Sequence, residues 1–124
     1  MSTQEIPREK WQGFFEVFSR QHEGWLATLE LLGSDIGAQE EAHEFPLEGL
    51  SVESDEAEAI VISLGRSPQD HVTHTISRPE HVWLEQTAEG ANAALEIESG
   101  VDSKALLRFR SPILPEFVDG VVLD

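Results

Sequence analysis

Apolar residues change their spacing once along this chain, and the change divides it into a helical start and a strand-rich remainder. Trp11, Phe14, Phe15 and Phe18 fall at i, i+3, i+4 and i+7, the stripe of an amphipathic helix. Pro7 suits a first helical turn, and Glu5 and Glu9 complement the dipole there. Arg20 and His22 suit the last turn, and Gly24 is a natural stop. The pattern predicts a helix over Pro7–His22. Gly13 inside it is unfavourable by roughly 1 kcal/mol relative to Ala, which predicts a close approach of the helix to a sheet at that position. The aromatic stripe offers either a partner surface or a cover for the domain's own core. The second is expected, because the rest of the chain supplies sheet faces that need covering.

Beyond Gly24 the period is two. Trp25–Leu32 reads as a strand, Gly33-Ser34-Asp35 as a turn, and the acidic segment Gly37–Phe45 as a second strand that Pro46 breaks or bends. Leu47–Val52 is short and ambiguous, and Ser51–Glu58 reads as an exposed acidic loop. Ala59–Leu64, the most β-branched stretch, predicts a central strand, followed by loop residues Gly65–Asp70. His71–Ser77 and His81–Thr87 are expected to pair through Arg78-Pro79-Glu80, with Ser77 opposite His81. That register puts Val72, His74, Ile76, Val82 and Leu84 on one buried face. Ala94–Glu98 and Ala105–Arg110 form a further hairpin. Pro112 and Pro115 argue against a continuing central strand, and Val118, Val121, Val122 and Leu123 offer a short terminal one. The expected fold is α+β: one N-terminal helix packed on a curved antiparallel sheet or small β-barrel of about six strands.

Length and composition bound the answer further. The chain has 124 residues, 40% of them hydrophobic, enough for one domain spanning residues 1–124 with a core of its own. It carries 24 acidic and 8 basic residues, a formal charge of −16. That balance argues against nucleic acid as a direct partner and against anionic membrane surfaces. No apolar run approaches the roughly 20 residues that span a bilayer. The start, Met1-Ser2-Thr3-Gln4-Glu5, lacks the features of a signal peptide, so a cytoplasmic location is expected. With no cysteine, disulfides, thiolate metal sites and cysteine nucleophiles are excluded. The acidity itself has three readings: adaptation to concentrated salt, an ordinary acidic surface, or a surface for a basic partner.

Motifs for chemistry are few. There is no G-x-S-x-G, Walker A, G-x-G-x-x-G or H-E-x-x-H, and no cofactor is expected. His71 and His74 have H-x-x-H spacing, but in an alternating β-branched segment their rings point to opposite faces and cannot share a metal. His22 and His43 have acidic neighbours and no shared spacing. Asp35, Glu40, Glu41 and Glu44 do not follow the EF-hand pattern, so no metal site is assigned. His74 stands among apolar residues on the predicted core face, either as a satisfied buried histidine or as a base or ligand group in a pocket. Arg108 and Arg110 share one face of the last strand, as an anion site or as cross-strand partners of Glu96 and Glu98.

The strings STQEIPR, RQHEGWL, IGAQ, PLEGLS, DHVTHTI and RFRSPILPEFVDG together resemble a family of small bacterial proteins known as domain of unknown function 5335. The resemblance covers almost the whole chain, with Ser51–Glu58 and the turn near Gly100 as its variable parts. It implies one compact bacterial domain and carries over no activity, cofactor or site residue. Three functions are therefore weighed. The first is a non-catalytic β-rich module working through contacts with another protein or with itself as a homo-oligomer. The second is a small enzyme or ligand-binding domain with a pocket around His74 and Arg108 or Arg110. The third is an acidic mimic of nucleic acid.

Overall fold

The computed structural model describes residues 2–33, 37–53, 58–67, 69–100 and 103–113. Strand β1 (Ser2–Glu5) leads through a 3-10 turn (Arg8–Lys10) into helix α1 (Trp11–His22). Seven strands follow: β2 (Leu26–Gly33), β3 (Gly37–Val52), β4 (Ala59–Ser67), β5 (Asp70–Ser77), β6 (His81–Gln86), β7 (Asn92–Ser99) and β8 (Ser103–Ile113). All pairings are antiparallel, and the eight strands form one sheet in the order β1-β6-β7-β8-β2-β3-β4-β5.

The α+β class and the covering helix are as the pattern predicts, but the sheet has eight strands rather than about six and does not close into a barrel. Closure would require the outermost strands, β1 and β5, to pair, and among the described residues they do not. The sheet is nevertheless strongly curled. Only Arg78-Pro79-Glu80 separate β5, at one end of the strand order, from β6, next to the other end. Helix α1 crosses the concave face. The 3-10 turn ahead of it is tied to the β5–β6 connection by Arg8 Nη2 donating to the Pro79 carbonyl at 2.7 Å. Its last turn stacks His22 and Phe18 on Phe109 of β8.

The core is the inward face of every long strand plus one stripe of the helix. Trp11, Phe15 and Phe18 meet Ala27 and Leu29 of β2, Ile60, Ile62 and Leu64 of β4, Leu95 and Ile97 of β7, and Leu107 and Phe109 of β8. Burying a side chain of this size contributes about 1.5–3 kcal/mol each relative to exposure. Phe14, at the margin of the stripe, is half-buried, and Val17 is 44% exposed. Gly13 does not lie against the sheet: a Cβ there would meet nothing within 4 Å, so the expected close approach is absent.

Several local expectations are corrected. Segments 71–77 and 81–87 are not a hairpin. β5 pairs with β4, while β6 lies between β7 and β1 and has no edge left to offer. Strand β1 was not legible because its four residues are polar and exposed. The side-chain faces nonetheless come out as expected, with Ile76, Val82 and Leu84 buried and Val72 and His74 half-buried. Pro46 does not end the second strand. Residues up to Pro46 pair with β2, and from Leu47 onward β3 pairs with β4, so the missing N–H falls where the strand changes partners. The bulged ladder beside it puts Glu44 at φ 54°, and the Glu44 N–H donates to Thr28 Oγ1 at 3.2 Å. Strand β8 continues through Pro112 to Ile113, which pairs with Asn92 beyond a bulge. The proposed terminal strand at Val118–Leu123, the turn residues Ser34 and Asp35, and the centre of the acidic loop lie outside the described residues.

Candidate functional site

Two of the concavities on the described surface lie at different places on the curl. The first is a cleft of about 390 Å³ where the Ser77 end of β5 comes over the Gly33 end of β2, the Ser99 end of β7 and the Ser103 end of β8. The ladder sets Gly33 opposite Ser103 and Ser103 opposite Ser99, so three small residues share this end of the sheet. With Ala105 beside them, they leave the core unfilled at its rim, and Leu31, Ile76 and Ile97 form an apolar floor. The end of β5 is held in place from both sides. Ser99 Oγ donates to the Ser77 carbonyl at 2.6 Å, and the Arg78 N–H donates to the Glu58 carbonyl at 2.8 Å.

His74 lines this cleft. The other histidines are all engaged: His22 with the Phe18 carbonyl, His43 with Glu40, His71 with Glu48 and His81 with Glu5. His74 makes no hydrogen bond or ion pair among the described residues, although it is half-buried. Lys104 also borders the rim, but it has the parity of the outward residues of its strand, and its ammonium lies on the outer face, 3.3 Å from Glu96. Burial, and then a hydrogen bond with Glu98, push the Glu96 carboxyl above its ordinary range, while Lys104 pulls it back.

Arg108 and Arg110 are not part of this site. Their strand alternates with Leu107 and Phe109, so the guanidinium groups emerge on the outer face. They also do not pair with Glu96 and Glu98. Arg108 sits opposite Ala94 and Thr28 and reaches Glu30 at 2.8 Å, while Arg110 lies 4.0 Å from Glu44. The glutamates expected as partners are opposite Leu106 and Lys104 instead, two to four residues nearer the hairpin turn. The sequence-predicted trio is thus divided, with His74 inside and the arginines outside. Among the described residues no three His, Asp or Glu side chains are grouped to hold a metal ion, and no helix is long and apolar enough to cross a membrane.

The second concavity is a groove of about 490 Å³ between the inner face of β1–β6 and the start of α1, lined by Gln4, Ile6, Pro7, Gly13, Phe14 and Leu84 among others. It adjoins β1, which among the described residues pairs with β6 on one side only. Glu5 of β1 accepts from His81 Nδ1 at 2.7 Å, and this contact raises the His81 pKa above its ordinary value.

A buried polar chain sits at the far end of α1 and was missed by sequence reasoning. His22 is fully buried, stacked on Phe18 at 4.1 Å and Phe109 at 4.9 Å between ring centroids. Its Nδ1 donates to the Phe18 carbonyl at 2.9 Å, and Nε2 accepts from Asn92 Nδ2 at 3.4 Å. Asn92 Oδ1 accepts in turn from Gln86 Nε2 at 2.8 Å. Burial lowers the His22 pKa, the backbone contact opposing it, which favours the neutral ring. The signal was available: His22 continues the stripe of Trp11, Phe15 and Phe18 at four residues past Phe18.

Comparison with known proteins gives a consistent result. A family model described as a family of unknown function (DUF5335) matches residues 2–116. A protein of Aquifex aeolicus (strain VF5), described as uncharacterised, is 29% identical over 117 residues, covering 94% of this chain and 100% of the relative. No solved structure matches the chain.

Proposed function

Since this chain belongs to the family of unknown function DUF5335, we propose a function from its geometry: a non-catalytic binding module that takes an extended, basic segment of another protein along β1. The observation that carries this reading is an edge strand with an apolar groove beside it. β1 is exposed along its length and, among the described residues, paired on one side only, and the groove next to it is floored by Ile6, Phe14 and Leu84. Strand addition needs that combination, with backbone groups supplying affinity and an adjacent apolar recess accepting alternate side chains. The charge of −16 favours a cationic occupant and opposes pairing between two copies of this chain. Arg108 and Arg110, two of the groups first considered for chemistry, are paired with carboxylates on the outer face.

The test is amide-resolved NMR titration with a six-residue peptide alternating Lys and Val, against one alternating Glu and Val. The basic peptide is expected to shift Ser2–Glu5, Phe14 and Leu84, with binding that weakens as salt is raised. Gly13→Lys, which places a cation in open space beside the groove, should weaken it, and Gly13→Ala should not. Equal binding of the acidic peptide, or shifts confined to β5, would overturn the assignment. A stable dimer by sedimentation with β1 protected from exchange would give the groove to a second copy instead.

A further inference from the structure

We propose that the cleft at the rim of the sheet, on the opposite edge from β1, is a separate binding site for a small carboxylate with an apolar body. Its volume of about 390 Å³ lies within the roughly 300–1,000 Å³ of ordinary small-molecule sites. The floor of Leu31, Ile76 and Ile97 suits a hydrocarbon portion. The polar side chains at the rim, His74 and Ser103, can both donate hydrogen bonds.

Two observations point to an anion. In a chain with 24 acidic residues, the described residues lining this cleft include no Asp or Glu, while His74 is among them. His74 is also the one histidine with no partner among the described residues, although it is half-buried and a carboxylate or carbonyl satisfies each of the other four. A half-buried imidazole is ordinarily matched by an acceptor, and here the cleft is where one can be supplied. Lys104 borders the rim but has the parity of Arg108 and Arg110, and its ammonium is turned to Glu96 on the outer face, 3.3 Å away. The imidazole is therefore the group on which selectivity rests.

The probes are sodium octanoate, octanol and octylammonium, which share a tail and differ in the head. Binding is followed by calorimetry and by the ring-nitrogen resonances of His74. Octanoate is expected to bind in the micromolar to millimolar range, to shift His74, and to exceed octylammonium by roughly tenfold or more. His74→Phe, which retains bulk, should weaken octanoate several-fold, whereas Lys104→Met, on the outer face, should not, and both should leave the basic peptide's binding at β1 unchanged. Octylammonium binding as tightly as octanoate, or octanoate binding unaffected in His74→Phe, would overturn the proposal. So would an absence of His74 shifts at millimolar octanoate. Loss of peptide binding with octanoate binding intact would refute the β1 reading and leave this one standing.

Discussion

At the scale of single residues, His22 and His81 show how context gives the same side chain opposite preferences. His22 is enclosed by Phe18, Phe109 and Asn92, and burial disfavours its charged form. His81 is exposed beside Glu5, whose carboxylate favours the charged form. The pH consequences are opposite in sign. For His22 the unfolded ring titrates near its ordinary value of 6.5. Its contribution to stability is therefore complete above that pH and declines as pH falls toward the lowered folded value. For His81 the contribution is complete below its ordinary pKa and is lost as pH rises through the raised one. Urea unfolding between pH 8 and pH 5 should show stability falling on the acid side of about 6.5, with a shallower fall in His22→Gln. An unchanged slope in the variant would mean that other groups set it.

At the scale of elements, the join between α1 and β3 depends on one hydroxyl. The first half of β3 has β2 beside it, but the second half has β4 on one side only. At Leu50 the exposed backbone is satisfied by Ser19: the Leu50 N–H donates to Ser19 Oγ at 2.8 Å, and Ser19 Oγ donates to the Leu50 carbonyl at 3.1 Å. One side chain thus takes the place of a neighbouring strand, and Gly49 allows the approach, since a Cβ there would sit 3.4 Å from Ser19. Ser19→Ala leaves both backbone groups without this partner and is expected to cost about 1–3 kcal/mol. Chemical denaturation measures the loss, and hydrogen exchange should locate faster opening at Leu50. A loss within about 0.5 kcal/mol, the range of an ordinary surface substitution, would show that water replaces the hydroxyl without penalty.

At the scale of the whole molecule, charge is the dominant feature. With 24 acidic against 8 basic residues, most carboxylates have no cation to pair with. The ion pairs present, such as Arg108–Glu30 and Lys104–Glu96, are at least partly exposed and individually weak. Folding brings like charges together, and their repulsion extends over a Debye length of about 30 Å at 0.01 M salt but about 3 Å at 1 M. The melting temperature should therefore rise from near-zero salt to 1 M KCl, with most of the gain below about 0.3 M, where the Debye length has already shortened to under about 10 Å. A gain continuing steadily into multimolar salt would mark adaptation to salt or surface exclusion of the salt. A flat or falling curve would mean that the local pairs outweigh the global field.

The sequence by itself determined which side of each element is buried. The stripe of Trp11, Phe15 and Phe18, the alternation of Ile60, Ile62 and Leu64, and the shared inward face of Ile76, Val82 and Leu84 all follow from side-chain period, a local property of the backbone. Strand existence was legible for the same reason over most of the chain, but not at Ser2–Glu5, where no apolar residue marks a face, at Leu47–Val52, which was ambiguous, or at the end of β8, where Pro112 spoke against a strand. Which strands become neighbours was decided only in three dimensions. β5 and β6 are three residues apart yet pair with other strands, because β1 and β7 occupy both sides of β6. The partners of Arg108 and Arg110 followed that choice, since they come from β2 and β3, and a cross-strand contact depends on register as well as face. His74 was legible as a half-apolar-face histidine, but its cleft was not. The cleft exists because Gly33, Ser99 and Ser103, distant in sequence, meet at one end of the ladder and are too small to fill it.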